Sequence, residues 1–391
     1  MNQLPKRLKS IDVFRALTML LMIFVNDVGS VKGIPAWIDH VKAADDGLGF
    51  ADTIFPNFLF IVGLSLPFAI RNRMNKGDAF LNISLYILTR SVALLIMGFF
   101  HVNLENYNSK AALLPYSIYT IIVTIAFFLI WLDYSPAMAK VKKYSLIGTG
   151  IALLIACVFL YKGGTAEEPE GMSPAWWGIL GIIGWAYLVC AFVFLITKGK
   201  LGLLLPVLAV FIAINILRHM DLLPFKIMVI GDASSVTLVM LGIVVSVLYG
   251  TLAGKGKDAL LWGLFIAIGV GLIAAGFIVR PYADGISKIR ATPAWVFICA
   301  GIGTLVFTLL IWLIDMEGKQ SWFNAIRPAG TSTLTCYLIP YLLYSIYSLI
   351  HFKYPSFMAY GAGGIFKSFL VAFVVIILVG FMERKRLRLK I

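Results

Sequence analysis

The chain has 391 residues, of which 60% are hydrophobic and 13% are charged, and its formal net charge is +14. Soluble domains carry about 25% charged residues, so this chain has too few charges to cover a water-soluble globule. Its Lys and Arg residues are spread over many short loops, which excludes nucleic acid as a partner. The composition therefore predicts an integral membrane protein whose main surroundings are the lipid bilayer.

Twelve apolar segments follow one another, and most approach the roughly 20 residues that one bilayer crossing needs. They cover 11–28, 51–70, 81–101, 113–132, 144–161, 175–197, 201–217, 235–253, 259–279, 293–314, 330–350 and 364–382. Backbone groups in hydrocarbon must be paired within the segment, and the alternation of barrel strands is absent. We predict an all-α transmembrane bundle forming a single domain, residues 1–391. The seventh segment is short and contains Pro206, so a count of eleven helices stays open.

Lys and Arg also predict the orientation. If the N-terminus is inside, 21 of the 33 lie on the inner side and 11 on the outer side, while Arg90 lies within the third segment. The positive-inside rule then places both termini in the cytoplasm. We expect the protein to lie in the inner cell membrane. The terminal run Arg384-Lys385-Arg386 fits a membrane anchor. All four histidines fall at the outer face and lack metal-ligand spacing, so we expect no metal.

Polar residues gather in the hairpin of the first two segments, residues 10–70. Asp12 and Arg15 are three residues apart and share a helix face. They predict either a local ion pair or a site where Arg15 reaches an anionic ligand from the cytoplasm.

The other end of this hairpin holds a second polar group. Asn26 ends the first segment, Trp37, Asp39 and His40 lie in the loop, and Asp52 begins the second segment. Ionisable groups at membrane depth are costly and often functional. The cluster therefore makes His40 a candidate catalytic residue.

These residues carry a resemblance. Ser10-Ile11-Asp12-Val13-Phe14-Arg15, Val25-Asn26, His40, Phe50-Ala51-Asp52, Phe55-Pro56 and Phe60-Ile61-Val62-Gly63 resemble the transmembrane acyltransferases typified by heparan-alpha-glucosaminide N-acetyltransferase. The likeness continues over residues 286–295, just before the tenth segment. Where the family usually has Arg-Gly, this chain has Arg15-Ala16. Some bacterial members have been labelled N-acetylglucosamine-related transporters.

The resemblance implies transfer of an acetyl group from cytoplasmic acetyl-CoA to an amino-sugar or glycan acceptor at the outer face. Arginine binds phosphate well because its guanidinium forms paired hydrogen bonds. The expected residues for the CoA phosphates are Arg15, Arg71, Arg73 and Arg90. Arg90 has an equally weighted alternative, in which it extends to the interface or pairs with Asp12 or Asp78.

The implied chemistry assigns His40 as general base, since histidines titrate near neutral pH. Asn26 is expected to donate to the oxyanion of the thioester carbonyl, and either Asp39 or Asp52 to orient the imidazole. Direct transfer and a covalent acetyl-histidine intermediate both remain open.

The acceptor is expected to contact a second set of residues on the same face. It comprises Trp37, Asp39, His101, Lys288 and Arg290. Three other tryptophans, Trp176, Trp177 and Trp185, fit an aromatic belt at the membrane interface better than a sugar platform.

Two other classes of function compete with the enzyme. A transporter for an amino sugar would use the same polar groups as a solute path, but the hairpin has no repeat in the second half of the chain. A purely structural membrane protein would not need this cluster. The resemblance also makes a homodimer one plausible assembly.

Overall fold

The computed structural model describes residues 8–165, 167–224, 227–253 and 258–391. Within these ranges the chain forms thirteen α-helices and little else. Their bounds are α1 Lys9–Val28, α2 Phe50–Asn75, α3 Phe80–Glu105, α4 Tyr116–Trp131, α5 Lys140–Leu160, α6 Ile179–Thr197, α7 Leu201–His219, α8 Ser234–Leu252, α9 Asp258–Val279, α10 Pro293–Leu310, α11 Arg327–Thr331, α12 Thr333–Leu349 and α13 Gly361–Arg384.

Short irregular elements join these helices. A π-helical turn, Ile311–Met316, extends α10, and 3₁₀ turns cover Lys319–Ile326 and Ser356–Ala359. The loop between α5 and α6 holds a small antiparallel pair, β1 (Gly163–Gly164) and β2 (Pro169–Glu170), with Gly163 opposite Glu170.

The predicted all-α membrane fold is confirmed. Each predicted segment corresponds to one longer helix, and the segment 330–350 also includes the end of the short α11, which is the extra element. In the described ranges nine helices are long and apolar enough to cross a membrane, and α4 and α12 are shorter apolar helices. The seventh segment is a continuous helix despite Pro206, because a proline in an apolar helix is tolerated where neighbours support the backbone.

Helix α2 lies at the centre of the bundle, packed against α1, α6, α8 and α10. It touches α8 backbone to backbone: a Cβ on Gly63 would lie 2.0 Å from the Val239 oxygen, and one on Gly242 would lie 2.1 Å from the Phe60 oxygen. The Ser246 hydroxyl donates to the Leu64 carbonyl oxygen at 2.9 Å. Small residues and hydroxyls are the usual means by which membrane helices pack closely.

Helices α5, α7 and α9 form the periphery. Each packs mainly on one neighbour, α5 on α4, α7 on α8 and α9 on α10. In the most apolar stretch of each helix only 17%, 22% and 17% of the residues are buried, so most of their apolar side chains face outward. These faces are the surfaces that the lipid chains would cover.

The two ends of the molecule can be defined by α1 and α2. We call the end at the start of α1 the Arg15 face, and the end where α1 stops and α2 begins the His40 face. Arg15 and Asn26 lie on one helix, about 16 Å apart along its axis at about 1.5 Å per residue. Polar groups on α1 thus lie toward both faces.

Candidate active site

His40 and Asp52 form the central contact of the His40 face. His40 Nδ1 lies 2.7 Å from Asp52 Oδ1. The Asp52 side chain is 1% exposed and that of His40 is 36% exposed. The carboxylate is therefore buried under an imidazole that solvent and ligands can reach.

The start of α2 fixes this carboxylate. Asp52 Oδ2 accepts hydrogen bonds from the backbone N–H of Val41 at 3.0 Å and of Gly49 at 3.1 Å. Gly49 is the residue before α2, and a Cβ there would lie 1.9 Å from the Asp39 carbonyl oxygen. An ionised carboxylate can only accept hydrogen bonds, so His40 Nδ1 donates to it. The neutral imidazole then has an unprotonated Nε2, as a general base requires.

Lys288 approaches the same imidazole from the loop before α10. Its Nζ lies 3.4 Å from His40 Nδ1 and 3.5 Å from Nε2. Burial lowers the pKa of the Lys288 ammonium below its ordinary value, although the nearby Asp52 carboxylate opposes that shift. A lysine held in this way can lose its charge at a lower pH than a surface lysine.

The two loops that carry His40 and Lys288 are joined by Asp46. Its carboxylate accepts from the Ile286 N–H at 2.7 Å and from Arg280 Nε at 2.9 Å. The Gly47 N–H donates to the Ile286 carbonyl oxygen at 3.0 Å. We call this group the Asp46 latch. It holds the loop before α2 against the loop before α10.

A cavity of about 940 Å³ lies beside this centre, and we call it the aromatic cavity. Asn26, Lys288 and Trp295 contribute to its wall. The Trp295 indole N–H also donates to the Asp52 carbonyl oxygen at 3.0 Å. His40 itself is not among the lining residues, so Lys288 is its nearest connection to this space.

Aromatic side chains form much of the cavity wall. They are Phe55, Trp176, Trp177, Trp185, Trp295, Tyr337, Tyr341 and Tyr344. Trp176, Trp177 and Trp185, expected in an interfacial belt, all contribute to this cavity, so they are also candidates to contact a bound molecule. Aromatic faces beside polar groups suit the apolar face and hydroxyls of a sugar ring.

His101 lies in the same wall, buried at 7% exposure. Its ring stacks on Tyr341 with centroids 4.3 Å apart and planes at 24°. Neither ring nitrogen has a hydrogen-bond partner among the described residues. Buried polar atoms are nearly always paired, so these atoms are candidates to pair with a bound molecule.

A second cavity of about 510 Å³ opens toward the Arg15 face, and we call it the arginine cavity. Arg15 and Arg90 both line it. Arg15 donates to Ser65 Oγ at 2.5 Å, and its NH1 is 3.3 Å from both Asp12 Oδ1 and the Gly330 carbonyl oxygen. Both predicted roles of Arg15 are therefore compatible, since it pairs locally and also borders a cavity.

Arg90 projects from α3 into this cavity without a carboxylate partner among the described residues. Its NH1 donates to the Tyr86 hydroxyl at 3.2 Å, and its guanidinium lies 5.3 Å from the Tyr187 ring. The expected pairing with Asp12 or Asp78 is not seen. Two more lining atoms, Tyr187 OH and Ser332 Oγ, are buried with no hydrogen-bond partner in the described chain. A cation and two hydroxyls of this kind fit a phosphate-bearing molecule.

The other two predicted arginines lie outside both cavities. Arg73 pairs with Asp78 at 3.1 Å and lies 3.8 Å over the Tyr86 ring. Arg71 lies 5.7 Å from the Phe194 ring. The structure thus brings Arg15 and Arg90 together at a cavity but does not add Arg71 or Arg73 to it.

The last four residues, 388–391, form a strap across one wall of the arginine cavity. The Leu389 N–H donates to Thr335 Oγ1 at 2.9 Å, and the Lys390 N–H donates to the Trp131 carbonyl oxygen at 2.8 Å. Arg388 Nε and Lys390 Nζ pair with Asp133 at 3.1 and 3.3 Å. The basic tail is thus tied to α4 and α12 in addition to any anchoring role.

The two cavities adjoin within the bundle. Four residues line both: Met19, Met22, Ile179 and Tyr337. We call this set the junction. The arginine cavity, which opens toward the Arg15 face, therefore comes close to the aromatic cavity beside the His40 centre.

The remaining predicted residues take supporting or exposed positions. Asp39 Oδ1 accepts from the His40 backbone N–H at 2.7 Å, so the imidazole contact belongs to Asp52. Arg290 donates to the Asp284 carbonyl oxygen at 3.0 Å within its own loop. Trp37 is 66% exposed and lines neither cavity.

The family described as "Domain of unknown function (DUF5009)" matches residues 7–256, which is more than half of the chain. The chain belongs to this family. The matched region contains the whole hairpin, residues 10–70, and all of α1.

Two curated relatives are heparan-alpha-glucosaminide N-acetyltransferases. The protein of Homo sapiens is 36% identical over 107 residues, 27% of this chain and 15% of the relative. The protein of Mus musculus is 36% identical over 101 residues, 26% of this chain and 14% of the relative. The chain therefore matches about one seventh of the length of either relative.

Several residues of the site gave no signal in the sequence. The resemblance includes Trp295 but does not indicate that its indole supports Asp52, and no motif points to Asp46, Tyr337 or Tyr341. Within the described ranges, no group of three or more His, Cys, Asp or Glu residues could hold a metal ion.

Proposed function

We propose that this protein is a transmembrane acetyltransferase that takes the acetyl group of acetyl-CoA at the Arg15 face and delivers it to an amino-sugar or glycan acceptor at the His40 face. The observation that carries the proposal is the adjacency of the two cavities at the junction. Guanidinium groups line the arginine cavity, and the wall of the aromatic cavity includes Lys288, whose Nζ lies 3.4 Å from the His40 imidazole. The two acetyltransferases among the relatives support the class of reaction.

His40 acts on the acceptor. Nε2 removes the proton from the acceptor nitrogen or oxygen as that atom attacks the thioester carbonyl carbon. A new bond forms between that atom and the acetyl carbon, the carbon–sulfur bond breaks, and the proton passes to the departing thiolate. Asp52 holds the Nδ1 proton, which keeps the ring in the required tautomer and stabilises its protonated form.

Charge develops on the carbonyl oxygen during this step. Asn26 and Lys288 both line the aromatic cavity and can donate hydrogen bonds to it. Preorganised donors at such an oxygen are often the largest single contribution to catalysis. Arg15 and Arg90, with Tyr187 OH and Ser332 Oγ, are the groups proposed to hold donor phosphates.

The orientation follows from the donor. Acetyl-CoA is cytoplasmic, so the Arg15 face is the cytoplasmic one, and both termini lie there, as the Lys and Arg distribution predicts. The bilayer is then the inner cell membrane, and the acceptor meets Trp37, Asp39, His101, Lys288 and Arg290 from outside. A homodimer is compatible with this arrangement.

The test is turnover by purified protein with acetyl-CoA and glucosamine, comparing wild type with His40→Asn. Asparagine can keep the hydrogen bond to Asp52 but cannot carry the proton. We expect free CoA and acetylated sugar from the wild type, and a loss of about 10²–10⁴-fold in His40→Asn. His351→Asn is the matched control, because His351 has positive φ of 53°, which asparagine tolerates, and no role in the site.

A transporter of an amino sugar is the competing function. The adjoining cavities also suit a solute path, which is the observation in its favour. Saturable movement of unmodified sugar into vesicles, with no acetyl-CoA hydrolysis or transfer by the wild type, would establish the transporter and refute the enzyme.

A further inference from the structure

We propose that Lys288 is a self-modification site: without a sugar acceptor, the protein transfers the acetyl group of acetyl-CoA to the Lys288 side-chain amine and so loses activity. The inference rests on the proposed acyl transfer and extends it from the amine of a sugar to an amine of the chain itself. Lys288 belongs to the loop before α10, outside the hairpin that carries His40.

The position of the Lys288 amine relative to His40 is the first step of the argument. A general base must lie within hydrogen-bond reach of the proton that it removes, and such contacts are often longer before the substrates bind. Lys288 Nζ lies 3.5 Å from His40 Nε2, the nitrogen that is proposed to act on the acceptor. Glucosamine and lysine both carry a primary amine. Lys288 thus holds an amine of the chain close to the place that the acceptor nitrogen must take.

Lys288 also borders the space in which the donor is proposed to react. It lines the aromatic cavity together with Asn26, the proposed donor to the carbonyl oxygen. This cavity adjoins the arginine cavity at the junction. The flexible four-carbon stem of a lysine lets its amine move by a few bond rotations. A thioester carbonyl brought close enough for attack by a sugar amine is therefore also within reach of Lys288 Nζ.

The protonation of Lys288 is the second requirement, because only a neutral amine attacks a carbonyl carbon. Burial lowers the pKa of the Lys288 ammonium, although the nearby Asp52 carboxylate opposes that shift. Lysines that burial has partly deprotonated are recurrent nucleophiles in enzymes. The charged form of Lys288 can thus assist the transfer to a sugar, whereas its neutral form can itself take the acetyl group.

The proposed step balances without any further reactant. Lys288 Nζ attacks the thioester carbonyl carbon, a carbon–nitrogen bond forms and the carbon–sulfur bond breaks. His40 Nε2 takes the surplus proton from that nitrogen and passes it to the departing thiolate, so free CoA is released. The product is an amide, which is much less reactive than a thioester, so the acetyl group stays on Lys288. The modified side chain has no charge and adds bulk beside His40, which should stop turnover.

The experiment incubates the purified wild-type protein with acetyl-CoA and no sugar, and locates acetyl groups by mass spectrometry of its peptides. We expect an acetyl group on Lys288, with an equal amount of free CoA, and much slower modification of Lys42, an exposed lysine in the loop that carries His40. His40→Asn should slow the modification of Lys288 by about 10²-fold and leave that of Lys42 unchanged. Added glucosamine should slow the modification of Lys288, because it competes for the same acetyl group.

A second readout follows activity instead of mass. Wild-type protein held with acetyl-CoA before glucosamine is added should lose turnover progressively with the time of incubation. Lys288→Arg replaces the amine by a guanidinium that stays protonated, so whatever activity this variant has should not decline in the same way. Lys42→Arg is the matched control and should decline as the wild type does.

The outcomes separate this inference from the proposed function. Acetylation of glucosamine by a wild type that leaves Lys288 unmodified would overturn the inference and leave the enzyme standing. Equal rates of Lys288 modification in wild type and His40→Asn would also overturn it, because the reaction would then not use the site. No transfer from acetyl-CoA by the wild type, either to a sugar or to Lys288, would refute the proposed function itself.

Discussion

Asp52 accepts three hydrogen bonds from a short stretch of chain, two from backbone N–H groups and one from the His40 imidazole. Its place in the first turn of α2 adds the favourable end of a helix dipole. The residue therefore does two things at once: it closes the loop over α2, and it fixes which imidazole nitrogen carries the proton.

Replacement of this carboxylate should separate the two effects. In Asp52→Asn the amide can present an N–H to His40 Nδ1, which would leave the proton on the wrong nitrogen. We expect kcat to fall by about 10²–10⁴-fold, measured as CoA release. Asp45→Asn is the control, because Asp45 is exposed in the same loop and has no assigned role in the site. Equal losses in the two variants would contradict an orienting role for Asp52.

Lys288 gives the site a distinct alkaline limit. Burial lowers the pKa of its ammonium, so its charge is lost as pH rises, and at a pH below the ordinary lysine value. If that charge assists the reaction, kcat/KM of the wild type should fall at alkaline pH. Lys288→Arg keeps its charge throughout, so whatever activity it has should persist to higher pH. The same alkaline limb in both proteins would remove Lys288 from the chemistry.

At this scale the contact between His40 and Asp52 could be anticipated from the sequence, because one hairpin holds both residues. Asn26 and Asp39 lie in the same hairpin and remain predicted site residues. The choice between Asp39 and Asp52 as partner of His40 depended on how the loop folds, and composition does not determine that.

Helices and loops are brought together by contacts of long sequence separation, of which the Asp46 latch is the clearest. Burial alone would raise the pKa of Asp46, but hydrogen bonds from Ile286 and Arg280 bring it below its ordinary value. A lowered carboxyl pKa stabilises the folded state above the ordinary pKa of the group. That stabilisation is lost as pH falls through the lowered value.

Asp46→Asn should therefore lower the unfolding temperature at pH 7 and make a smaller difference near pH 3, which lies below the ordinary pKa of the carboxyl, 3.8. The effect is modest, about 0.2–1 kcal/mol, because the ion pair is half exposed. Thermal unfolding in detergent at both pH values measures it. Asp45→Asn, a change at the neighbouring exposed carboxylate, should show no such difference, and an equal loss at both pH values would argue against the ion pair.

The strap is the second element that local patterns did not reveal. Asp133→Asn removes the carboxylate that pairs with Arg388 and Lys390, so the wall of the arginine cavity should loosen. We expect KM for acetyl-CoA to rise about 3- to 10-fold, a loss of about 0.7–1.4 kcal/mol in donor binding. Glu317→Gln, on an exposed carboxylate outside the cavity, is the control. An unchanged KM in Asp133→Asn would show that the strap does not shape the donor site.

Over the whole molecule, the twelve apolar segments were enough to predict the bundle, because each must pair its own backbone groups. The cavities were not predictable in this way. Arg90 and Tyr337 come from helices far apart in the chain, α3 and α12, and both line the arginine cavity. The cavity positions of the tryptophans of α6 and of the loop before it were not predictable for the same reason.

The central claim is that donor and acceptor react from opposite sides of the membrane. The purified protein is placed in sealed liposomes that are loaded with glucosamine, and acetyl-CoA is added to the medium outside them. We predict acetylated sugar in the lumen and free CoA outside with the wild type, and neither with His40→Asn. Acetylation that occurs only when both substrates share one side, or passage of unmodified glucosamine without acetylation, would contradict the account.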